Sequence, residues 1–80
     1  MNVCQAVSNR IKNLLEEKGM NQYQLEKASG ILHGTMDCIV KVKNKTVTLS
    51  TIMMIARGFN MSFIEFLNDE VFFSEELEIE

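Results

Sequence analysis

The sequence predicts an all-α domain of five short helices followed by a short acidic C-terminal tail. Eighty residues are enough for one domain. The absence of proline and the presence of only four glycines favour helices joined by tight turns over a β-sandwich. Apolar residues recur at helical spacing, and cap-forming residues precede these stretches. We therefore assign residues 1–69 to a helical domain and residues 70–80 to the acidic tail.

The first two helices are defined by their apolar faces and their end signals. The first helix has its apolar face at Val7, Ile11, Leu14 and Leu15. Gly19 predicts its end. The second helix is predicted to begin at Asn21, which can form a capping box with Gln24, and to end at Gly30. Its inward face is expected at Leu25 and Ala28.

The third helix is predicted around Thr35, with Met36, Ile39 and Val40 inward, and a polar, basic loop follows at residues 41–46. Together with the second helix and the turn at Gly30, it makes a helix-turn-helix at residues 21–41. The second helix of such a motif fits the major groove of DNA, where its N-terminal side chains reach base edges. This motif is the main functional feature of the sequence.

The fourth and fifth helices also have local start signals. Thr48 can cap the fourth helix, while Arg57 and Gly58 close it as a C-terminal cation and a C′ glycine. Its buried stripe is expected at Leu49, Ile52, Met53 and Ala56. Ser62 and Glu65 form the capping box of the fifth helix. The inward residues of the fifth helix are expected to be Phe63, Ile64 and Leu67.

The tail has a weaker pattern. Residues 76–80 alternate polar and apolar as a strand does, although an acidic segment without a partner strand is more often frayed. Val71, Phe72 and Phe73 are too apolar for water, so we expect them to pack on the body of the domain or on a second copy.

Charge is strongly segregated along the chain. Residues 1–64 contain all eight Lys and Arg and four acids, whereas residues 65–80 contain seven acids and no base. A basic body with an acidic tail is compatible with a nucleic-acid partner despite the net charge of −3.

Several other classes of protein are disfavoured by the sequence. Two cysteines do not form the disulfide framework of a small secreted domain, and Cys4, Cys38 and His33 lack the spacing of a metal site. No signal peptide and no apolar run of about 20 residues is found, so we expect a cytoplasmic location and no membrane partner. No catalytic grouping is recognisable. We expect no enzymatic activity, no cofactor and no metal.

The segment from Arg10 to Phe66 contains a series of short sequence pieces whose order and spacing are informative. They are Ile11–Met20, Gln22 with Leu25, Ser29–Ile31, Thr35–Met36 with Ile39, Leu49–Ile52 with Ile55–Gly58, and Ser62 with Glu65–Phe66. In order and spacing these pieces resemble the phage-repressor and Cro-like family of helix-turn-helix transcription regulators, also called the xenobiotic-response-element family. The resemblance implies a five-helix, lambda-repressor-like domain of bacterial or phage origin. It implies a sequence-specific regulator, here expected to be a repressor, that binds double-stranded DNA as a homodimer.

The resemblance also implies contacts with DNA. The predicted recognition helix, residues 32–41, would dock in the major groove, and Gln22 would contact a phosphate or a base. The exposed face of this helix would comprise His33, Gly34, Thr35, Asp37 and Cys38. The phosphate contacts would be Lys41, Lys43, Asn44 and Lys45.

The chain departs from the family pattern at several positions. Glu26 replaces a small alanine, and we expect its long side chain to bend outward. Leu32 replaces the serine cap of the recognition helix, at a cost of about 1 kcal/mol. Val42 replaces a common glycine. Val40 replaces a glutamate that often pairs with the arginine at position 10, so Arg10 is expected to reach DNA or tail carboxylates.

Aromatic residues concentrate after the helix-turn-helix, which suggests a dimer surface. Its candidate residues are Phe59, Phe63, Phe66, Val71, Phe72 and Phe73. The alternative is a protein-interaction module, such as an antitoxin or a regulatory partner, whose acidic tail binds a protein. This alternative rests on the seven acids of residues 65–80 and on the few base-reading side chains of the recognition helix.

Overall fold

The computed structural model describes residues 1–79 and confirms the all-helical fold. Five α-helices are followed by one 3-10 turn. Their bounds are Val3–Lys18 (α1), Gln22–Ser29 (α2), His33–Val40 (α3), Leu49–Gly58 (α4), Phe63–Leu67 (α5) and Glu70–Phe72 for the 3-10 turn. No strand occurs within residues 1–79, where the β geometry is limited to a single isolated bridge.

Local capping sets the helix starts. The predicted capping boxes are present, with the side-chain oxygens of Asn21 and Ser62 accepting from backbone N–H groups three residues on, at 2.8 and 3.1 Å. Thr48 caps α4 as predicted, and Asn2 forms a further capping box that starts α1. Each cap satisfies backbone donors that the first turn of a helix leaves unpaired.

Left-handed residues follow the first four helices. Gly19 and Gly30 have φ values of 64° and 77°, as their predicted end positions require. Gly58 is not a C′ glycine: it is the last residue of α4, and Asn60 is the left-handed residue, with φ 58°. Val42 also adopts φ 56° after α3. That conformation costs a β-branched residue roughly 1–2 kcal/mol, which explains why the family commonly has glycine there.

The core is formed by one face of each helix. Its buried members are Val7, Ile11, Leu14, Leu25, Ile31, Met36, Ile39, Ile52, Ile55, Ala56, Phe59 and Phe66. The predicted inward positions of Leu49, Met53 and Ala28 are wrong, since all three are exposed. The buried face of α4 instead continues from Ile52 through Ile55 and Ala56 to Phe59. These four residues have the spacing i, i+3, i+4 and i+7, which forms one apolar stripe along a helix.

The C-terminal aromatic residues do not lie on a single surface. Phe59 and Phe66 are 2% and 0% exposed, so their assignment to a dimer interface is wrong. Phe66 is buried because α5 turns it into the core, and the same rotation leaves Ile64 77% exposed instead of inward. Phe73 is exposed. The remaining candidates, Phe63, Val71 and Phe72, are half-buried.

The tail is attached to the start of the chain. The backbone N–H of Val3 donates to the carbonyl of Glu78 at 3.1 Å, and the N–H of Glu78 donates to the carbonyl of Met1 at 3.0 Å. Ile79 is exposed, so the alternating pattern does not produce an apolar face. Glu80, which completes that pattern, lies outside the described residues.

Gly58 allows α4 to pack closely on α2. A Cβ at this position would lie 2.9 Å from Leu25 Cδ1 and 3.0 Å from Ser29 Cβ. We therefore expect Gly58→Ala to reduce the free energy of unfolding by about 1–2 kcal/mol, measured by urea denaturation. Gly34→Ala is the matched control, because nothing lies within 4 Å of its Cβ and alanine favours a helix by about 0.5–1 kcal/mol. Equal effects of the two changes would contradict the packing argument.

Candidate nucleic-acid interface

The turn between α2 and α3 positions the second helix of the motif. Ile31 lies within the turn and is buried against the core, and Met36 and Ile39 hold the inner face of α3. Leu25 packs the centre of α2 into the same core. The two helices are therefore held by apolar contacts on one side, which leaves the opposite side of α3 facing outward.

The outward side of α3 carries the residues predicted to read DNA. His33, Gly34 and Thr35 are exposed in the first turn, while Asp37 and Cys38 are half-buried one turn later. Leu32 makes no side-chain cap, as predicted, and is 78% exposed at the start of the helix. An apolar side chain in this position can contact a thymine methyl group.

Glu26 connects the two helices of the motif. Its Oε2 atom accepts a hydrogen bond from Gln22 Nε2 at 2.9 Å and another from His33 Nδ1 at 2.8 Å. The Glu26 side chain is only 10% exposed, so it turns toward α3 and does not bend outward as expected. A carboxylate against the first turn of α3 also suits the positive end of the helix dipole. It bonds the His33 side chain there and not a backbone N–H group, so the N-terminus of α3 has no side-chain cap.

The hydrogen bonds to Glu26 alter its titration. The hydrogen bond from Gln22 is the largest cause that lowers the pKa of Glu26 below its ordinary value, and the bond and charge of His33 act in the same direction. Burial opposes this shift by raising the pKa. The carboxylate is therefore ionised at neutral pH and can only accept hydrogen bonds.

Asp37 forms a second carboxylate site on the same face. Lys41 Nζ lies 3.2 Å from Asp37 Oδ2, one helical turn further on. The hydrogen bond from Lys41 is the largest cause that lowers the pKa of Asp37, and the charge of Lys41 adds to it. The Gln22 amide also lowers this pKa by hydrogen bonding, so Gln22 lies between two carboxylates.

The loop after α3 provides the basic surface. Lys41, Lys43 and Lys45 are exposed, and Asn44 is half-buried. The loop borders an open groove of about 600 Å³ lined also by Asn2 and Glu78. The loop thus presents lysines close to the outward face of α3, with an acidic residue of the tail at the far side of the groove.

Arg10 does not belong to this surface. Its Nε donates to the carbonyl of Phe66 at 2.8 Å, and Nη2 donates to the carbonyl of Glu65 at 2.9 Å. Nη1 lies 3.1 Å from Asp69 Oδ2, and the guanidinium lies 5.8 Å from the centre of the Phe66 ring. Because the side chain is buried and its donors are occupied, the predicted contact of Arg10 with DNA is wrong. The alternative pairing with an acid of residues 65–80 is the one formed.

Two exposed residues of α2 were missed by sequence reasoning. Tyr23 is exposed, and Lys27 Nζ lies 5.3 Å from the centre of its ring. Both this pair and the Gln22–Glu26 pair are four residues apart, the spacing at which helical side chains meet. The i, i+4 spacing of these polar and aromatic side chains was the signal that the sequence offered.

Residues 1–79 contain no group of three or more His, Cys, Asp or Glu side chains arranged to hold a metal ion. None of the helices in this range has the length and apolarity needed to cross a membrane.

Comparison with known proteins gives one match. A family model described as the Cro/C1-type HTH (helix-turn-helix) DNA-binding domain matches residues 10–70, which is more than half of the chain. Searches of curated proteins and of solved structures return no match. The matched range includes all five residues of the carboxylate network described above, from Gln22 to Lys41.

The Glu26 network makes folding stability depend on pH. Folding lowers the pKa of Glu26 from its ordinary 4.5, so the ionised carboxylate stabilises the fold above that value and the stabilisation is lost as the pH falls through the lower folded-state pKa. We expect Glu26→Gln to lower Tm at pH 7. The difference in Tm between this variant and the wild type should become smaller below about pH 4.5. Thermal denaturation across this range measures the effect. A gap that stays constant with pH would contradict it, and Gln22→Ala should weaken the pH dependence by removing the largest cause.

Proposed function

Because the chain belongs to the Cro/C1-type helix-turn-helix family of DNA-binding domains, we propose that it is a sequence-specific transcriptional repressor. The observation that carries this proposal is the outward face of α3, which is flanked by an exposed basic loop. In this arrangement α3 enters the major groove with its N-terminal turn toward the bases. Bound at a promoter, the domain would exclude other proteins from the same DNA.

The proposed contacts divide into two groups. His33, Gly34, Thr35, Asp37 and Cys38 would face the bases, with Gln22 beside them. Lys41, Lys43, Asn44 and Lys45 would face phosphates, because they follow the recognition helix in an exposed loop. Phosphate contacts provide affinity and orientation, and base contacts provide sequence preference.

The proposal includes a homodimer on a two-fold operator, with half-sites about 34 Å apart. An apolar groove of about 260 Å³ lined by Ile64, Leu67, Asn68 and Phe73 supports a second copy as its occupant. Ile64 and Phe73 are both largely exposed in the single chain, where such large apolar side chains are unfavourable in water. Of the dimer surface predicted from the sequence, Phe73 lines this groove, Phe63, Val71 and Phe72 stay candidates, and Phe59 and Phe66 are excluded by their burial.

A second candidate function is protein binding through the acidic tail. Glu75, Glu76 and Glu78 are exposed, and Glu78 borders the groove beside the basic loop. Such a surface would suit a basic protein partner, as in an antitoxin. Salt dependence separates the two functions when DNA is the probe, because only a DNA-binding protein releases counterions from a duplex on binding.

The basic loop should control DNA affinity. We expect Lys43→Ala with Lys45→Ala to weaken binding to all duplexes alike and to reduce the slope of log affinity against log salt by about 2. Fluorescence anisotropy with labelled duplex DNA at several salt concentrations measures both quantities. Lys12→Ala with Lys18→Ala removes the same charge from the exposed side of α1 and should change the slope far less. Unchanged affinity and slope in the loop variant would contradict the docking described here.

The apolar groove should control oligomeric state. We expect Ile64→Asp to raise the dimer dissociation constant at least tenfold, because the change places an unpaired charge in a buried contact. Analytical ultracentrifugation over a range of concentrations gives this constant. Leu49→Asp is the matched control. Leu49 is also an exposed apolar residue, but it is the first residue of α4 and does not line the groove. A wild-type protein that remains monomeric at high concentration would refute the dimer.

A further inference from the structure

The amide of Gln22 has a defined orientation. Its nitrogen, Nε2, lies 2.9 Å from Glu26 Oε2, and an ionised carboxylate can only accept. The amide must therefore direct its NH₂ group toward Glu26 and its carbonyl oxygen, Oε1, away from it. A glutamine without such a neighbour can turn either end toward DNA, so Glu26 acts as a positioning residue.

The same carboxylate orients His33. Its Nδ1 lies 2.8 Å from Glu26 Oε2 and must carry the hydrogen of this bond. In the neutral ring, a hydrogen on Nδ1 leaves Nε2 as an acceptor. The His33 side chain is 74% exposed, so Nε2 faces outward from the first turn of α3 and is an acceptor whenever the ring is neutral.

Asp37 adds a third acceptor one turn along the helix. Its carboxylate has two oxygens, of which Oδ2 is engaged by Lys41 at 3.2 Å. A carboxylate has room for about four hydrogen bonds, so Lys41 and the Gln22 amide together do not saturate it. The stretch from His33 to Val40 contains no Lys, Arg, Asn or Gln that could offer a long donor to a base.

We propose that this face selects DNA by its exocyclic amino groups, preferring adenine or cytosine opposite Gln22 and Asp37 and rejecting guanine there. The inference rests on the proposed DNA-binding function and adds the class of base that is read. In the major groove adenine N6 and cytosine N4 are donors, whereas guanine presents only the acceptors N7 and O6. Guanine opposite a carboxylate would leave acceptors facing each other without a proton between them. One such mismatch weakens binding about tenfold or more.

The first experiment finds the bound sequence and then removes one amino group. Wild-type protein is used to select binding sites from random duplex DNA. In the enriched site each adenine is then replaced by purine deoxyribonucleoside, which lacks the N6 amino group, and each cytosine by the deoxyribonucleoside of pyrimidin-2-one, which lacks the N4 amino group. Each adenine or cytosine is separately replaced by guanine with its complement. We expect at least one position at which both replacements weaken binding about tenfold. This arm leaves the protein unchanged, so a folding defect cannot account for the result.

The second experiment assigns that position to side chains. In Asp37→Asn, an isosteric change, the amide can donate to guanine, so the tenfold guanine penalty should fall to about threefold or less. Glu26→Ala combined with Asp37→Asn should likewise reduce a guanine penalty at the position read by Gln22, because the pair removes both carboxylates that hold the NH₂ group of its amide. Lys43→Ala is the control and should weaken binding to both duplexes by the same factor, leaving the penalty unchanged.

The outcomes separate this inference from the proposed function. Enrichment of guanine at the positions sensitive to Asp37→Asn, or no effect of removing any amino group, would overturn the inference and leave the DNA-binding function standing. A penalty that is the same in Asp37→Asn and in wild type would overturn the role given to Asp37. Failure to bind any duplex at low salt would overturn the proposed function itself.

Discussion

The buried guanidinium of Arg10 is the interaction on which the C-terminal half of the structure depends. Helix α5 has only five residues, which is too short to be stable without tertiary contacts. Arg10 holds it from α1 by donating hydrogen bonds to the carbonyls of Glu65 and Phe66, near the C-terminal end where a helix leaves carbonyls short of backbone donors. The pair with Asp69 extends this attachment beyond the helix. With α5 held in this way, Phe66 enters the core and Ile64 points outward.

A second polar contact has the corresponding role in the DNA-binding motif. Glu26 places a negative charge near a surface that should attract phosphates, which would be unfavourable if the charge had no structural use. Its two hydrogen bonds, to Gln22 and His33, tie the first residue of α2 to the first residue of α3. The motif thus gains a fixed geometry between its helices, and the exposed lysines at residues 41–45 provide the attraction to the DNA backbone. Affinity and base preference are therefore assigned to different parts of the same surface.

Much of the fold was predictable because its signals are local. Asn21, Thr48 and Ser62 were recognised as caps since each bonds a residue three positions away. The buried side of α4 was predicted less well. In so short a helix, Leu49 and Met53 fit an apolar stripe almost as well as Ile55 and Phe59 do. Only the packing of α4 against α2, through the close approach at Gly58, distinguishes the two stripes.

The sequence by itself determined the starts of α2, α4 and α5, the order of the elements and the family, because these depend on residues within about one turn of each other and on their spacing along the chain. The tertiary structure decided how the polar side chains are used. Arg10 meets Phe66 across 56 residues, and Glu26 meets His33 across a turn between helices. A charged side chain is long enough to reach several partners, and its choice depends on which donors and acceptors the folded chain leaves within about 3 Å. That choice attached Arg10 to α5 and joined Glu26 to both helices of the helix-turn-helix.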